Sequence, residues 1–135
     1  MAEASPPMAW RRWCRDASIR CEGDSVTIAV TAGTAHRHPR TQTVRIRASE
    51  GGLLLESVAA HRRHVSDPDA TQGELWLRNR AHDLISVSLD PSGKVVASCW
   101  LPDVALDRDE FLFALHQLAA EDDRIEFLMT GGGSG

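Results

Sequence analysis

Apolar and polar residues alternate with two different periods along this chain, and the switches between them divide it into elements. Near the start, Trp10, Trp13, Cys14, Ala17 and Cys21 recur at spacings of three and four. That spacing puts them on one face of a helix, while Arg11, Arg12, Arg15, Asp16 and Arg20 fall mostly elsewhere. Ser5 is placed to cap this helix with Pro6 at its first position, and Gly23 to end it. The period then shortens to two. Val26, Ile28 and Val30 alternate with Thr27, Ala29 and Thr31, and Val44, Ile46 and Ala48 alternate with Thr43, Arg45 and Arg47. A third run, GLLLESVAA, opens at Gly52 after a Glu50-Gly51-Gly52 turn. Such alternation predicts strands with one face buried and one wet.

The first two strands are joined by AGTAHRHPR (residues 32–40), a basic loop in which Pro39 bars continuous pairing. A polar break, HRRHVSDPDA, covers residues 61–70, and its Asp67-Pro68-Asp69 turn opens a short helix around Gln72 to Arg80, weakened by Gly73. Ile85, Val87 and Leu89 then alternate with Ser86 and Ser88. After the turn Asp90-Pro91-Ser92-Gly93, Val95, Ala97, Cys99 and Leu101 take one face of a last strand, and Val96, Ser98 and Trp100 the other. Pro102 stops it. Asp107, with Glu110 three residues on, caps a helix whose buried stripe is Phe111, Leu112, Leu115, Leu118 and Ala119, widened by Phe113 and Ala114. This helix is expected to end or bend near Asp122-Asp123, with Ile125, Phe127, Leu128 and Met129 extending it or crossing back over the sheet. The pattern predicts an α+β fold in the order α-β-β-β-α-β-β-α, a five-stranded antiparallel sheet with helices packed on it.

Composition adds limits. The 135 residues suit one domain that buries about two thirds of its unfolded surface unaided. Residues 1–7 read as a flexible leader, 8–130 as the domain, and the Gly/Ser tail 131–135 as an appended linker. No apolar run approaches the roughly 18 residues that span a bilayer, so no membrane association is expected. The acidic, proline-containing start does not read as an export signal, which makes the cytoplasm the expected location. Cys14, Cys21 and Cys99 lack redox or zinc spacing and read as small buried hydrophobes. The net charge of −4 hides an asymmetry, with ten arginines against six acids in residues 1–65 and five basic residues against thirteen acids beyond. Two solvated faces of opposite sign explain this most simply.

Candidate chemistry is sparse. His36 and His38 flank one arginine and His61 and His64 stand three apart, but all sit among arginines that would repel a cation, so no metal is expected. His82-Asp83 and His116 have no nucleophile motif nearby, and no Gly-rich phosphate loop occurs, so neither catalysis nor a cofactor is expected. Arg37, Arg40, Arg45, Arg47, Arg62 and Arg63 form a basic patch around the second strand. The chain is acidic overall and poor in strand aromatics, so this patch reads as a solvated face or a dock for an acidic peptide and not as a nucleic-acid surface. Trp10, Trp13, Leu84, Ile85, Val87, Trp100, Phe111 and Phe113 supply core and candidate partner-binding surface, two roles that spacing does not separate.

The stretch LWLRNRAHDLISVSLDPSGKVVASCWLPDVALDRDEFLFALHQLAAEDDRIEFL sets a polar Asn79 region before a strand, ends its hairpin in Leu101-Pro102, and closes an acid-started helix with Asp123-Arg124-Ile125-Glu126. With the element order, it resembles the small chaperones of type III secretion and the related YbjN-like domains over about residues 9–130. Its motifs are patterns of apolar spacing, without a reactive residue. The resemblance implies a non-enzymatic homodimer that holds an extended client peptide against sheet and helix surfaces. The alternative is a regulatory adaptor that binds a folded partner through its charged faces.

Overall fold

The first helix stops well short of its apolar spacing, and the reason is local. In a computed structural model, which describes residues 6–30, 40–61, 64–81 and 84–130, α1 spans Pro6–Asp16. The Ile19 amide donates to the Cys14 carbonyl at 2.8 Å and the Ser18 amide to that of Arg15 at 3.0 Å, with Ser18 at φ 60°. This is a Schellman closure in which serine holds the left-handed position usually given to glycine. Arg20–Glu22, expected inside the helix, instead forms a strand, β1. Gly23, at φ 62°, is not a helix stop but the first residue of the two-residue turn between Glu22 and Ser25.

β1 therefore brings the sheet to six strands rather than five. The others are β2 (Ser25–Val30), β3 (Arg40–Ser49), β4 (Gly52–Ala60), β5 (Ser86–Leu89) and β6 (Val95–Pro102), with α2 (Pro68–Ala81) before β5 and α3 (Arg108–Thr130) last. The spatial order is β1-β2-β3-β4-β6-β5, and all neighbours are antiparallel. Glu50 (φ 44°) and Gly51 (φ 79°) make the tight β3–β4 turn. In the β5–β6 turn, the Asp90 carboxylate accepts from the Ser92 hydroxyl at 2.6 Å and from the Ser92 and Lys94 amides, both at 2.9 Å. These bonds, that from the Ser92 hydroxyl first, hold the Asp90 carboxyl below its ordinary titration range.

Val26, Ile28, Val44, Ile46, Leu53, Leu55, Ala97 and Cys99 form the inner face of the sheet and share one core with Phe111, Leu115 and Leu118 of α3. α1 joins at one end, where Trp10 and Trp13 tilt against the Phe111 ring with centroids 6.4 and 5.5 Å away. The Arg11 guanidinium lies 4.4 Å from the Trp10 ring centre and 2.7 Å from Asp24, tying the helix to the β1–β2 turn. Cys14 and Cys99 are buried, Cys21 is half-buried, and all three thiols are free. Burial pushes Cys14 and Cys99 up to about 11, with Cys21 adding to the effect on Cys14.

Asp67 caps α2 through a 3.1 Å bond from the Ala70 amide, so the helix begins at Pro68, ahead of the predicted Gln72. Asp107 caps α3 in the same manner, accepting from the Glu110 amide at 2.8 Å. α3 does not end at Asp122-Asp123 but runs on to Thr130. The predicted Ser5 cap, the His36 and His38 loop, His82-Asp83 and the Gly/Ser tail lie outside the described residues.

Candidate partner-binding surfaces and a polar fork

Strand parity turns a second set of residues away from the helices, and the register assembles them in rows. Arg47, Leu54 and Trp100 stand side by side on β3, β4 and β6, and Arg45, Glu56 and Ser98 form the next row. Arg45 and Arg47 are exposed, and Arg47 pairs with Glu56 at 3.1 Å. At such exposure this pair contributes about 1 kcal/mol or less. Trp100 is fixed by a bond from its Nε1 to the Ser49 carbonyl at 3.0 Å, yet 48% of it stays exposed. Its ring covers Gly52, where a Cβ would lie 2.2 Å from the Leu101 carbonyl oxygen and 3.0 Å from the indole. A glycine is required there, and the indole becomes a rigid apolar shelf on the wet side of the sheet.

A second apolar surface lies where α3 begins. Phe113 is 61% exposed and, with Leu84, Leu101 and Ala114, lines a hollow of about 470 Å³ edged by Asp109 and Glu110. Trp76 and Leu77 on α2 are 60% and 59% exposed, and Val104 on the loop before α3 is exposed too. The eight candidate binding residues thus divide. Trp10, Ile85, Val87 and Phe111 are buried, Trp13 is half-buried, and Leu84, Trp100 and Phe113 face solvent. Trp76, Leu77 and Val104 were not singled out by spacing, because an exposed apolar residue on a short helix or loop carries no periodic signature.

Of the predicted basic patch, Arg45 and Arg47 share the outer face of β3. The side chains of Arg37, Arg40, Arg62 and Arg63 lie outside the described residues. Among those described, no three His, Cys, Asp or Glu side chains are grouped to hold a metal ion. No helix among them is long and apolar enough to cross a membrane.

The third feature is polar. β3 and β4 are zipped from their turn to Arg45 and Glu56, where the ladder ends, although β2 follows β3 on to Arg40 and β6 follows β4 on to Ala60. A register shift between Val58 and Ala60 marks a bulge, which bends its strand. The resulting fork opens on a cleft of about 440 Å³ whose walls include Thr43, Ser57, His61, His64 and Glu126. Behind it, Gln42, Ser57, Glu121, Asp122 and Asp123 are all buried. The Gln42 amide donates to Asp123 at 3.0 Å and to Glu126 at 2.9 Å, and Arg124 pairs with Glu121 at 2.7 Å. Ser57 is bonded both to Asp122 and, at 2.9 Å, to the Thr43 carbonyl. Burial pushes the Asp122 carboxyl up to about 7; the Ser57 bond opposes this, and the neighbouring Glu126 and Asp123 carboxylates reinforce it. Periodicity does reveal this cluster: Asp122 continues the inward stripe of Phe111, Leu115 and Leu118, while Ser57 and Gln42 have inward parity on β4 and β3.

No family model and no curated protein sequence matches the chain. Solved structures do. YbjN from E. coli aligns with a TM-score of 0.60 at 14% identity, over 90% of this chain and 86% of that one. The heterodimeric ExoU–SpcU complex of the Pseudomonas aeruginosa type III secretion system gives a TM-score of 0.56 at 18% identity, over 87% and 94%. The ExsC–ExsE complex gives 0.61 at 13% identity, over 98% and 100%. The chain has the fold of YbjN and of type III secretion chaperones. Identity this low speaks for the shared architecture alone. The resemblance drawn from LWLRNRAHDLISVSL and its neighbours is therefore a resemblance of fold.

Proposed function

We propose that this chain is a non-enzymatic, protein-binding module that acts as a chaperone-like homodimer and holds an extended segment of a client polypeptide. The observation that carries the reading is the exposure of Trp76, Leu77 and Phe113 by 59% or more, together with the Trp100 shelf, on a single copy. Neighbouring exposed apolar side chains, as Trp76 with Leu77 and Phe113 with Leu84, mark surfaces that another polypeptide covers. The Trp100, Leu54 and Val58 face suits a client segment, because an anchored indole gives apolar contact at little entropic cost. The α2 residues Trp76 and Leu77 suit one contact with a second copy, and the Phe113 hollow another. Two of the similar structures are complexes with a second protein, which supports the same reading.

The test combines sedimentation equilibrium with affinity capture from cytosol and mass spectrometry. The reading expects a dimer that Leu77→Ser together with Phe113→Ser dissociates, and a reproducible unfolded or secreted client lost on Trp100→Ala. A monomer that captures nothing would overturn it. Salt separates it from the charged-face adaptor, whose affinity would fall steeply with ionic strength where apolar contact would not.

A further inference from the structure

Ser57 is in bonding contact with two oxygens, one on Asp122 and one on the Thr43 carbonyl, and a hydroxyl carries one proton. A carboxylate and a carbonyl are both acceptors, so Ser57 satisfies both at once only when the carboxyl supplies the other proton. Asp122 Oδ1 is buried with no hydrogen-bond partner, which a neutral acid tolerates far better than a carboxylate does. The bond to Thr43 also crosses the place where the β3–β4 ladder stops.

We propose that Asp122, Ser57 and the Thr43 carbonyl form a proton-operated latch across the fork between β3 and β4. With the acid protonated, Asp122 donates to Ser57 and Ser57 donates to Thr43, so α3, β4 and β3 are joined in series. On ionisation Asp122 becomes an acceptor only, the Ser57 hydroxyl turns its proton to it as a hydrogen bond, Thr43 loses its donor, and the strands part where no ladder bond holds them.

The surroundings favour a change of state within the physiological range. From α3 itself, the carboxyls of Asp123 and Glu126 bear on Asp122, and both disfavour its ionisation. Glu121 is turned to Arg124. β3 contributes the neutral Gln42 amide, already held by Asp123 and Glu126, and β4 contributes Ser57. Arg45, Glu56, His61 and His64 line the cleft on the far side of the fork. The inward residues of β2 and β6 are apolar apart from Cys99, whose thiol is neutral until about 11. α1 meets α3 at its other end, through Phe111.

The test is NMR on the whole chain between about pH 5 and about pH 9, a range that brackets the raised titration. It follows the side-chain carboxyl carbon of Asp122 and the amide-exchange protection factors of residues 41–43 and 57–60. The carboxyl is expected to titrate near 7. Over the same range, protection at the fork should fall roughly five- to tenfold, the worth of one net hydrogen bond, while Leu115 to Leu118 stay unchanged. Asp122→Asn, which keeps a donor and cannot ionise, should hold fork protection high at every pH. Ser57→Ala should hold it low throughout. A carboxyl that titrates in the ordinary aspartate range, a wild-type fork with constant protection, or an Asp122→Asn profile that follows wild type would each overturn the latch. The wild-type carboxyl titration decides the matter even if neither variant folds.

Discussion

From Phe111 to Ala119, α3 meets the sheet through side chains with no polar atom to satisfy, whereas from Asp122 to Glu126 the same helix meets it, Ile125 aside, through carboxyls bonded to Ser57 and Gln42. Both stretches are equally hidden, and the sheet beneath them changes to suit, from Leu53, Leu55 and Cys99 to Ser57 and Gln42. Dispersion and burial hold the first half and tolerate adjustment; directional bonds hold the second and do not. The first half thus supplies most of the stability, and the second fixes how the helix sits and makes that seating depend on protons.

The contrast can be broken most strongly at Phe111. Phe111→Ala removes a fully buried ring against which Trp10 and Trp13 are packed, and should cost about 3–5 kcal/mol, read from the shift of the urea midpoint. In the polar half the expected effect is a dependence on pH. The folded-state titration of Asp122 is raised to about 7 from an ordinary value of 3.8, so the folded chain binds the extra proton between those values. Stability from this group is therefore greatest below about pH 4, declines as pH rises towards 7 and levels off above it, on the order of a few kcal/mol in all. Thermal melts across that window should show the decline in wild type and its flattening in Asp122→Asn. At the start of the apolar half, Asp107→Ala removes the cap on the Glu110 amide and should cost about 1 kcal/mol by the same denaturation. The smallest effect is expected at Phe113, on the outward side of that half: Phe113→Ser should change stability by less than about 0.5 kcal/mol yet weaken self-association in sedimentation.

Most of the layering was legible from spacing. The alternation in β2 and β6 identifies the inner face, as it does in β3 at Val44 and Ile46 though not at the exposed Ala48, and Asp107 with Glu110 marks where α3 starts. What misled was local chemistry that mimics another element. Cys21 continues a helical spacing and Gly23 looks like a helix stop, yet Ser18 accepts the left-handed backbone first and frees Arg20–Glu22 to pair as β1. Asp122-Asp123 reads as a helix end because two adjacent acids break an apolar run, yet both side chains are bonded across the interface, to Ser57 and Gln42, and the helix continues to Thr130. The candidate surfaces were only half legible. Spacing places Trp100 and Phe111 on opposite sides of their elements from Cys99 and Phe113, but which side is covered depends on where α1 and α3 dock, a non-local fact.

The strand lengths have a consequence for how any guest is gripped. The long ribbons, β3, β4 and β6, are all interior, while the margins are the three-residue β1 and the four-residue β5. A visiting backbone laid along either rim finds few rungs to climb, which guards the molecule against runaway edge-to-edge stacking. On the proposed reading, selectivity for a client then rests on its side chains, met by indole and guanidinium, and not on the monotony of amide pairing.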